Sequence, residues 1–197
     1  MSDIWLITGG CRSGKSMYAE NLAKEKSAAE ADKCAEGRPG VLYIATGTVT
    51  DEEMAGRIKM HRSRRPEGWE TREQYKGFKT IGKEFDAAAF GTILLDCIGN
   101  MLMGILYEEC PDADACETPQ YEKAEKEAIA EIDTLCAYAA GQDTRLIFVT
   151  NEIGMGLVPE TRYAREFRDS LGRINIHAGQ AADKVVLMAA GFPVTLK

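Results

Sequence analysis

Five short runs along the chain are almost wholly apolar: Ile4–Thr8, Val41–Thr46, Thr92–Asp96, Arg145–Thr150 and Val185–Ala190. Near-continuous apolarity over so few residues predicts strands buried on both faces of a parallel sheet. Between them the apolar spacing changes to a helical period. It predicts helices from Gly14 to about Lys26, from Asp51 to about Arg64, and over Asn100–Glu109, Pro119–Ala140 and Glu160–Ile174. Thr50 and Glu53 stand at the spacing of a capping box before the second of these. In the last, Tyr163, Phe167, Leu171 and Ile174 form an apolar stripe, with Arg162, Arg165 and Arg168 on the other face. Strands alternating with helices predict an α/β fold, a mostly parallel sheet flanked by helices with right-handed crossovers. Gly191-Phe192-Pro193 separates two short apolar runs and predicts a terminal hairpin, so the last strand is expected to be antiparallel. Ser27–Gly40, Pro66–Gly77 and Cys110–Thr118 read as loops. With no internal repeat and no long linker, the 197 residues are expected to form a single domain, 1–197.

Charge narrows the function. Lys and Arg number 24 against 31 Asp and Glu, a net charge of −7. That balance argues against non-specific binding to nucleic acid or to acidic membranes. No apolar run approaches the ~20 residues of a membrane helix, so no membrane insertion is expected. The opening MSDIWLITGG has an acid at Asp3 and no basic segment, unlike a secretory signal, so a cytoplasmic protein is expected. Its cysteines, Cys11, Cys34, Cys97, Cys110, Cys116 and Cys136, are then expected to be thiols. None forms C-x-x-C, and there are only two histidines, so no zinc site is expected.

The sharpest chemical signal is Gly9-Gly10-Cys11-Arg12-Ser13-Gly14-Lys15-Ser16, which matches G-x-x-x-x-G-K-[ST] at every fixed position. It follows an apolar strand and opens a helix, the context a phosphate loop needs. The glycines let successive backbone N–H groups converge on phosphate oxygens, and the helix adds its positive N-terminal end. In such a loop Lys15 neutralises the β and γ phosphates and Ser16 ligates Mg²⁺.

A second Mg²⁺ partner is expected from an acid ending a neighbouring strand. Asp96 fits, with a helix N-cap as its structural alternative. Glu152, just past Thr150, is a second candidate for the same metal. Arg57, His61 and Arg64 share one face at i, i+4, i+7, while Met54, Ile58 and His61 also share spacing. Spacing alone favours a core-edge histidine. The functional alternative is a nucleophile or general base, because flanking arginines lower an imidazole pKa below its ordinary ~6.5 and keep it neutral. Those arginines could also hold a triphosphate. His177 reads as structural or solvent-exposed.

Several motifs go further. They are Leu6–Ser16; Tyr43-Ile44-Ala45-Thr46; Asp51–Met54 with Arg57 and Ile58; His61-Arg62-Ser63-Arg64-Arg65-Pro66 with Trp69, Thr71 and Glu73; and Leu95-Asp96-Cys97. Thr150–Pro159 follows, then Arg165–Asp169, Gly172–Asn175, Ala182-Asp183 and Gly191–Pro193. In this order and over nearly the whole chain, they resemble the adenosylcobinamide kinase/adenosylcobinamide-phosphate guanylyltransferase family. The chain departs from that pattern at Ile176, at Ile98-Gly99-Asn100, and by a longer Ala28–Gly40 segment.

The resemblance implies a RecA-like P-loop NTPase fold, a homotrimer and two reactions. In the first, adenosylcobinamide takes the γ-phosphoryl of ATP or GTP. In the second, His61 is guanylylated by GTP and passes GMP to adenosylcobinamide phosphate, giving adenosylcobinamide-GDP in adenosylcobalamin biosynthesis. It also implies Mg²⁺ as cofactor, His61 and Lys15 as catalytic residues, and Arg57, Arg64 and Glu73 beside the nucleotide. The chain has no N-K-x-D motif, so guanine preference is implied by the resemblance only. Read without it, the residues also allow a single-activity P-loop kinase for a small alcohol, or a non-catalytic nucleotide-gated binding subunit.

Overall fold

A computed structural model describes residues 3–30, 40–47, 65–66, 68–81, 90–141 and 144–197. The helix expected over Asp51–Arg64, its Thr50–Glu53 cap, and with them Arg57, His61 and Arg64, lie outside these residues.

The apolar runs are strands: β1 (Asp3–Gly9), β2 (Val41–Ala45), β4 (Thr92–Asp96), β5 (Arg145–Val149) and β6 (Lys184–Ala189). Two more complete the sheet, β3 (Glu70–Glu73) and β7 (Phe192–Thr195). The order is β3-β2-β4-β5-β1-β6-β7, parallel throughout except for the β6–β7 hairpin. This is the mostly parallel α/β sheet that the alternating pattern predicts.

Alternation along each strand sends side chains to two faces. Tyr43, Leu94, Ile147, Val149, Ile7 and Val186 pack under α1 (Lys15–Glu30), against Ala19, Leu22 and Ala23. Leu42, Ile44, Ile93, Leu95, Leu146 and Phe148 face the other way. There they meet α2 (Ile98–Glu109), α3 (Thr118–Ala140) and α4 (Arg162–Ala181). Helix α3 opens on a capping box in which the Gln120 side chain accepts from the Glu117 N–H at 2.7 Å. Its buried Ala124, Ala128 and Ala139 keep its core face slim. Among the described residues, no helix is long and apolar enough to cross a membrane.

Four features differ from the sequence expectation. Strand β3 falls inside the Pro66–Gly77 segment read as a loop; its Glu-Thr-Arg-Glu sequence carries no apolar signal because it is an edge strand, where charge blocks unwanted pairing. Helix α4 runs seven residues past Ile174, since buried Ala178 continues the Leu171–Ile174 stripe. The hairpin turns at Ala190 (φ 50°) and Gly191 (φ 87°), so Phe192 and Pro193 belong to β7, where an edge position tolerates proline. Finally, Cys110 and Cys116 are joined as a disulfide, with Cα atoms 5.6 Å apart, where thiols are expected. The acidic loop between α2 and α3 doubles back and brings them together, a proximity that compartment arguments do not see.

Candidate active site

The parallel strands end on one rim, and their register sets its layout. One row runs Glu73, Ala45, Asp96, Val149, Ile7, Val186 across β3, β2, β4, β5, β1 and β6. The glycine loop leaves β1 two residues beyond this row. Ligands of open α/β sheets gather at this edge.

The loop's shape follows from its glycines. Gly9 (φ 154°) and Gly14 (φ 94°) take conformations that a side chain disfavours, and Arg12 (φ 58°) turns left-handed between them. Ser13 N–H closes the turn on the Gly10 carbonyl at 3.3 Å. Gly9 also makes a close approach: a Cβ there would lie 2.7 Å from both the Met188 carbonyl oxygen and Ser13 Oγ. Cys11 and Arg12 stand exposed at the tip. Lys15 Nζ donates to the Gly10 carbonyl at 3.2 Å, back across the loop. Ser16 lies in the first turn of α1, whose N–H groups have no intrahelical acceptors. Two neighbours brace the loop: Glu152 N–H donates to the Gly9 carbonyl at 3.0 Å and Gly191 N–H to the Ser13 carbonyl at 3.1 Å. The serine hydroxyl of Ser13 is buried without a hydrogen-bond partner, the kind of orphan that a phosphate oxygen would satisfy.

Asp96 ends β4, yet β4 is not the strand beside the loop. β5 lies between β4 and β1, so Asp96 is about 10 Å sideways from β1 at the ordinary strand spacing. Helix α1 spans that gap by packing across β5 and β4. Lys15 is close enough to oppose, in part, the upward push on the Cys97 thiol; burial and the Asp96 charge still raise it to about 12. The helix-cap alternative for Asp96 fails: the N-cap of α2 is Cys97, whose sulfur accepts the Asn100 N–H at 3.5 Å.

Among the described residues, the carboxylate of Asp96 is held by Tyr43, to which sequence reasoning assigned no role. Tyr43 Oη donates to Asp96 Oδ2 at 2.7 Å. Burial first, and then the Asp96 charge, push the Tyr43 hydroxyl far above its ordinary pKa, so it stays a donor. The Arg65 guanidinium lies 3.6 Å from the Tyr43 ring centre, and Trp69 stacks at 6.3 Å. Thr46 fixes the next peptide, which is cis: its hydroxyl donates to the Cys97 carbonyl and accepts the Cys97 N–H, both at 2.7 Å.

On the β5 side, Asn175 of α4 accepts from Thr150 Oγ1 at 2.6 Å and donates to the Asn151 carbonyl at 3.1 Å. One oxygen of Glu152 accepts the Gly154 N–H at 2.6 Å. The following loop exposes Met155, Leu157 and Val158. Of the arginine face of α4, Arg165 holds that loop through the Pro159 and Glu160 carbonyls, Arg162 reaches Thr118, and Arg168 pairs with Asp169. His177 sits on the α3–α4 seam, 2.7 Å from Asp133, consistent with a structural residue. Glu73 is exposed at the far end of the row, two strands from Asp96.

Oxygen donors suit Mg²⁺, and this rim carries the Ser16 hydroxyl with the carboxylates of Asp96 and Glu152. Tyr43 occupies Oδ2 of Asp96, and no described residue donates to the other oxygen. Among the described residues no group of three His, Cys, Asp or Glu side chains is placed to hold a metal ion.

Comparison with known proteins places the whole chain in one family. Residues 5–196 match the model of the family described as cobinamide kinase / cobinamide phosphate guanyltransferase. The chain is 39% identical over 192 residues to the bifunctional adenosylcobalamin biosynthesis protein CobU of Escherichia coli K12, with 98% of each chain covered. Against the CobU of Salmonella typhimurium the identity is 40% over 192 residues, again with 98% of each chain covered. Against the bifunctional protein CobP of Pseudomonas aeruginosa it is 34%, covering 98% of this chain and 96% of that one. A glycine loop closed on β6 and β7, an acid two strands away, and a match from the first strand to the last lead to one conclusion: this chain belongs to the cobinamide kinase / cobinamide phosphate guanyltransferase family.

Proposed function

We propose that this chain, as one P-loop catalytic domain over residues 1–197, carries out both reactions on the adenosylcobinamide arm. The observation that carries the reading is the glycine loop, backed by α1, with Asp96 two strands away on the same rim of the sheet. In the first reaction the arm's hydroxyl oxygen attacks the γ-phosphorus of ATP or GTP. The bond to the bridging oxygen breaks, the nucleoside diphosphate leaves, and the hydroxyl proton goes to solvent. Backbone N–H groups of Gly10 to Ser16 orient the phosphates, and Lys15 balances their growing charge.

In the second reaction a ring nitrogen of His61 attacks the α-phosphorus of GTP and pyrophosphate leaves. An oxygen of adenosylcobinamide phosphate then attacks the same phosphorus, the phosphorus–nitrogen bond breaks, and adenosylcobinamide-GDP forms. Dividing one transfer into two makes each step easier. Arg57, Arg64 and Glu73 serve the nucleotide. Ser16 and Asp96, with Glu152 as a further oxygen donor, would hold Mg²⁺, which would supply positive charge against the phosphoryl oxygens.

The reading includes a cytoplasmic homotrimer. Self-association is supported by two exposed apolar surfaces: Met155, Leu157 and Val158 beyond β5, and Phe192, Val194 and Leu196 in a row on and just past edge strand β7. The test is incubation with α-³²P-GTP and Mg²⁺ without corrinoid. An acid-labile protein label is expected, absent from His61→Ala, which retains phosphorylation of adenosylcobinamide. A label that persists in His61→Ala and disappears with His177→Ala removes the nucleophile assignment.

A further inference from the structure

Tyr43 lies at the middle of β2 with 1% of its surface exposed, on the sheet face that packs under α1. A buried tyrosine hydroxyl needs a partner. Here the partner is the acid at the strand rim, one strand over and two rows up. Such a diagonal pair on one face brings an aromatic tip to a neighbouring strand's end. The ring itself is confined. The Arg65 guanidinium covers one face at 3.6 Å, and Trp69 stacks with an interplanar angle of 29°. Arg65 is tied in turn to β3 through Thr71 Oγ1 at 3.4 Å. A ring so clamped has little rotational freedom, so its hydroxyl points one way.

A carboxylate at a strand end can rotate about its last bond and present either oxygen. A donor fixed on Oδ2 removes that freedom, and among the described residues none donates to the other oxygen. Groups that hold a ligating side chain in this way commonly set metal affinity as strongly as the ligand does. Building on the reading that Asp96 serves Mg²⁺, we propose that Tyr43 is a positioning residue: by donating to Asp96 Oδ2, it orients the carboxylate for the cation that accompanies the nucleotide. Arg65 and Trp69 hold the ring that does this.

The test deletes one oxygen atom. Tyr43→Phe keeps the ring and its contacts with Arg65 and Trp69 and removes only the donor. Cation binding is read directly from the electron paramagnetic resonance signal of free Mn²⁺, titrated into the protein with β,γ-methylene-GTP. The Mg²⁺ dependence of the phosphorylation rate is measured alongside. Tyr43→Phe is expected to weaken cation half-saturation about tenfold. Affinity for the nucleotide analogue in EDTA should stay unchanged, and the maximal rate should recover at saturating Mg²⁺. A tyrosine that is only part of the core would lower the melting temperature and leave half-saturation where it was.

Asp96→Asn separates the two levels of the argument. If it weakens cation binding and Tyr43→Phe does not, the positioning role is overturned and the assignment of Asp96 stands. If neither weakens it, both fall. If both weaken it, the double variant should be no weaker than Asp96→Asn alone, because the two residues act through one carboxylate; full additivity overturns the proposal. Should Tyr43→Phe fail to melt cooperatively, Arg65→Met takes its place. It loosens the clamp, and a smaller shift in the same direction is expected; an unmoved half-saturation there overturns the proposal.

Discussion

Replacing Gly9 with alanine asks whether the glycine loop owes its shape to the strands behind it. Gly9 pairs with Met188 across β1 and β6, and its φ of 154° is one that alanine disfavours. The added Cβ would sit 2.7 Å from the Met188 carbonyl oxygen, 2.7 Å from Ser13 Oγ and 3.2 Å from Met188 Cβ. The serine can rotate away. The carbonyl cannot, because β6 is held between β1 and β7. Backbone strain at such a position costs about 1–3 kcal/mol. Forcing one carbon into a packed site costs about 1–3 kcal/mol more. The stiffer unfolded chain returns about 0.4–1 kcal/mol. The net is about 3 kcal/mol, which lowers the melting temperature of a chain this size by about 6–12 °C.

Gly10→Ala is the matched control, since a Cβ at Gly10 would meet nothing within 4 Å. Thermal melts by circular dichroism measure both, and fluorescence titration with a GTP analogue reports the loop. Gly9→Ala should melt early and bind nucleotide weakly; Gly10→Ala should melt within about 2 °C of the parent. Equal melting temperatures for Gly9→Ala and the parent would refute the argument, as would a Gly10→Ala loss of the same size.

Three further outcomes follow from the same structure. Lys15→Ala should abolish both phosphorylation and guanylyl transfer, since both draw on one triphosphate site; a near-normal kinase rate in a corrinoid assay takes Lys15 out of the mechanism. The Asp3 carboxyl, pushed up by burial but pulled down further by its 2.6 Å bond from Arg145, has a folded pKa below its ordinary value. Its stabilisation is therefore present above the unfolded pKa of ~3.9 and lost as pH falls through the folded one. Urea midpoints should drop more steeply below pH 4 in the parent than in Asp3→Asn, by less than about 1 kcal/mol for a pair still partly open to solvent, and parallel curves would remove the pair from acid stability. Leu157→Asp, at a residue 95% exposed, should leave the melt unchanged and shift sedimentation toward monomer, whereas an unchanged oligomer would clear that loop of the interface.

The strands were legible where burial on both faces left one solution, as in Leu42, Tyr43 and Ile44 or Ile93, Leu94 and Leu95, all buried. Neighbour relations were not. β1 and β2 are consecutive in the chain, yet β5 and β4 stand between them, because α1 crosses over both before the chain re-enters the sheet. No local pattern encodes that jump. It also explains why Asp96 was legible as a rim acid but misplaced as a neighbour of the loop strand. β3 hid for the opposite reason: its four polar residues are pinned by pairing with Leu42 through Ala45 and not by an apolar face.

The site divides along the same line. The glycine loop was legible because its chemistry is written in eight consecutive residues, and backbone N–H groups need only the right turn to converge. The residues that steady its surroundings act across long gaps in sequence. Tyr43 reaches Asp96 over 53 positions, Thr46 reaches Cys97 over 51, and Asn175 reaches Thr150 over 25. Each is an ordinary polar side chain until the sheet register brings it beside its partner. All three tie an element to the end of a strand, Thr46 and Tyr43 on β4 and Asn175 on β5, at the row where the parallel strands stop and their last peptide groups lose ladder partners. Phosphoryl chemistry at such a rim requires charged groups held to within fractions of an ångström, and strand ends are the least constrained part of a sheet. Long-range side-chain bonds at those ends supply the missing constraint. Their perturbation should therefore show first in cation and nucleotide affinity and only later in global stability.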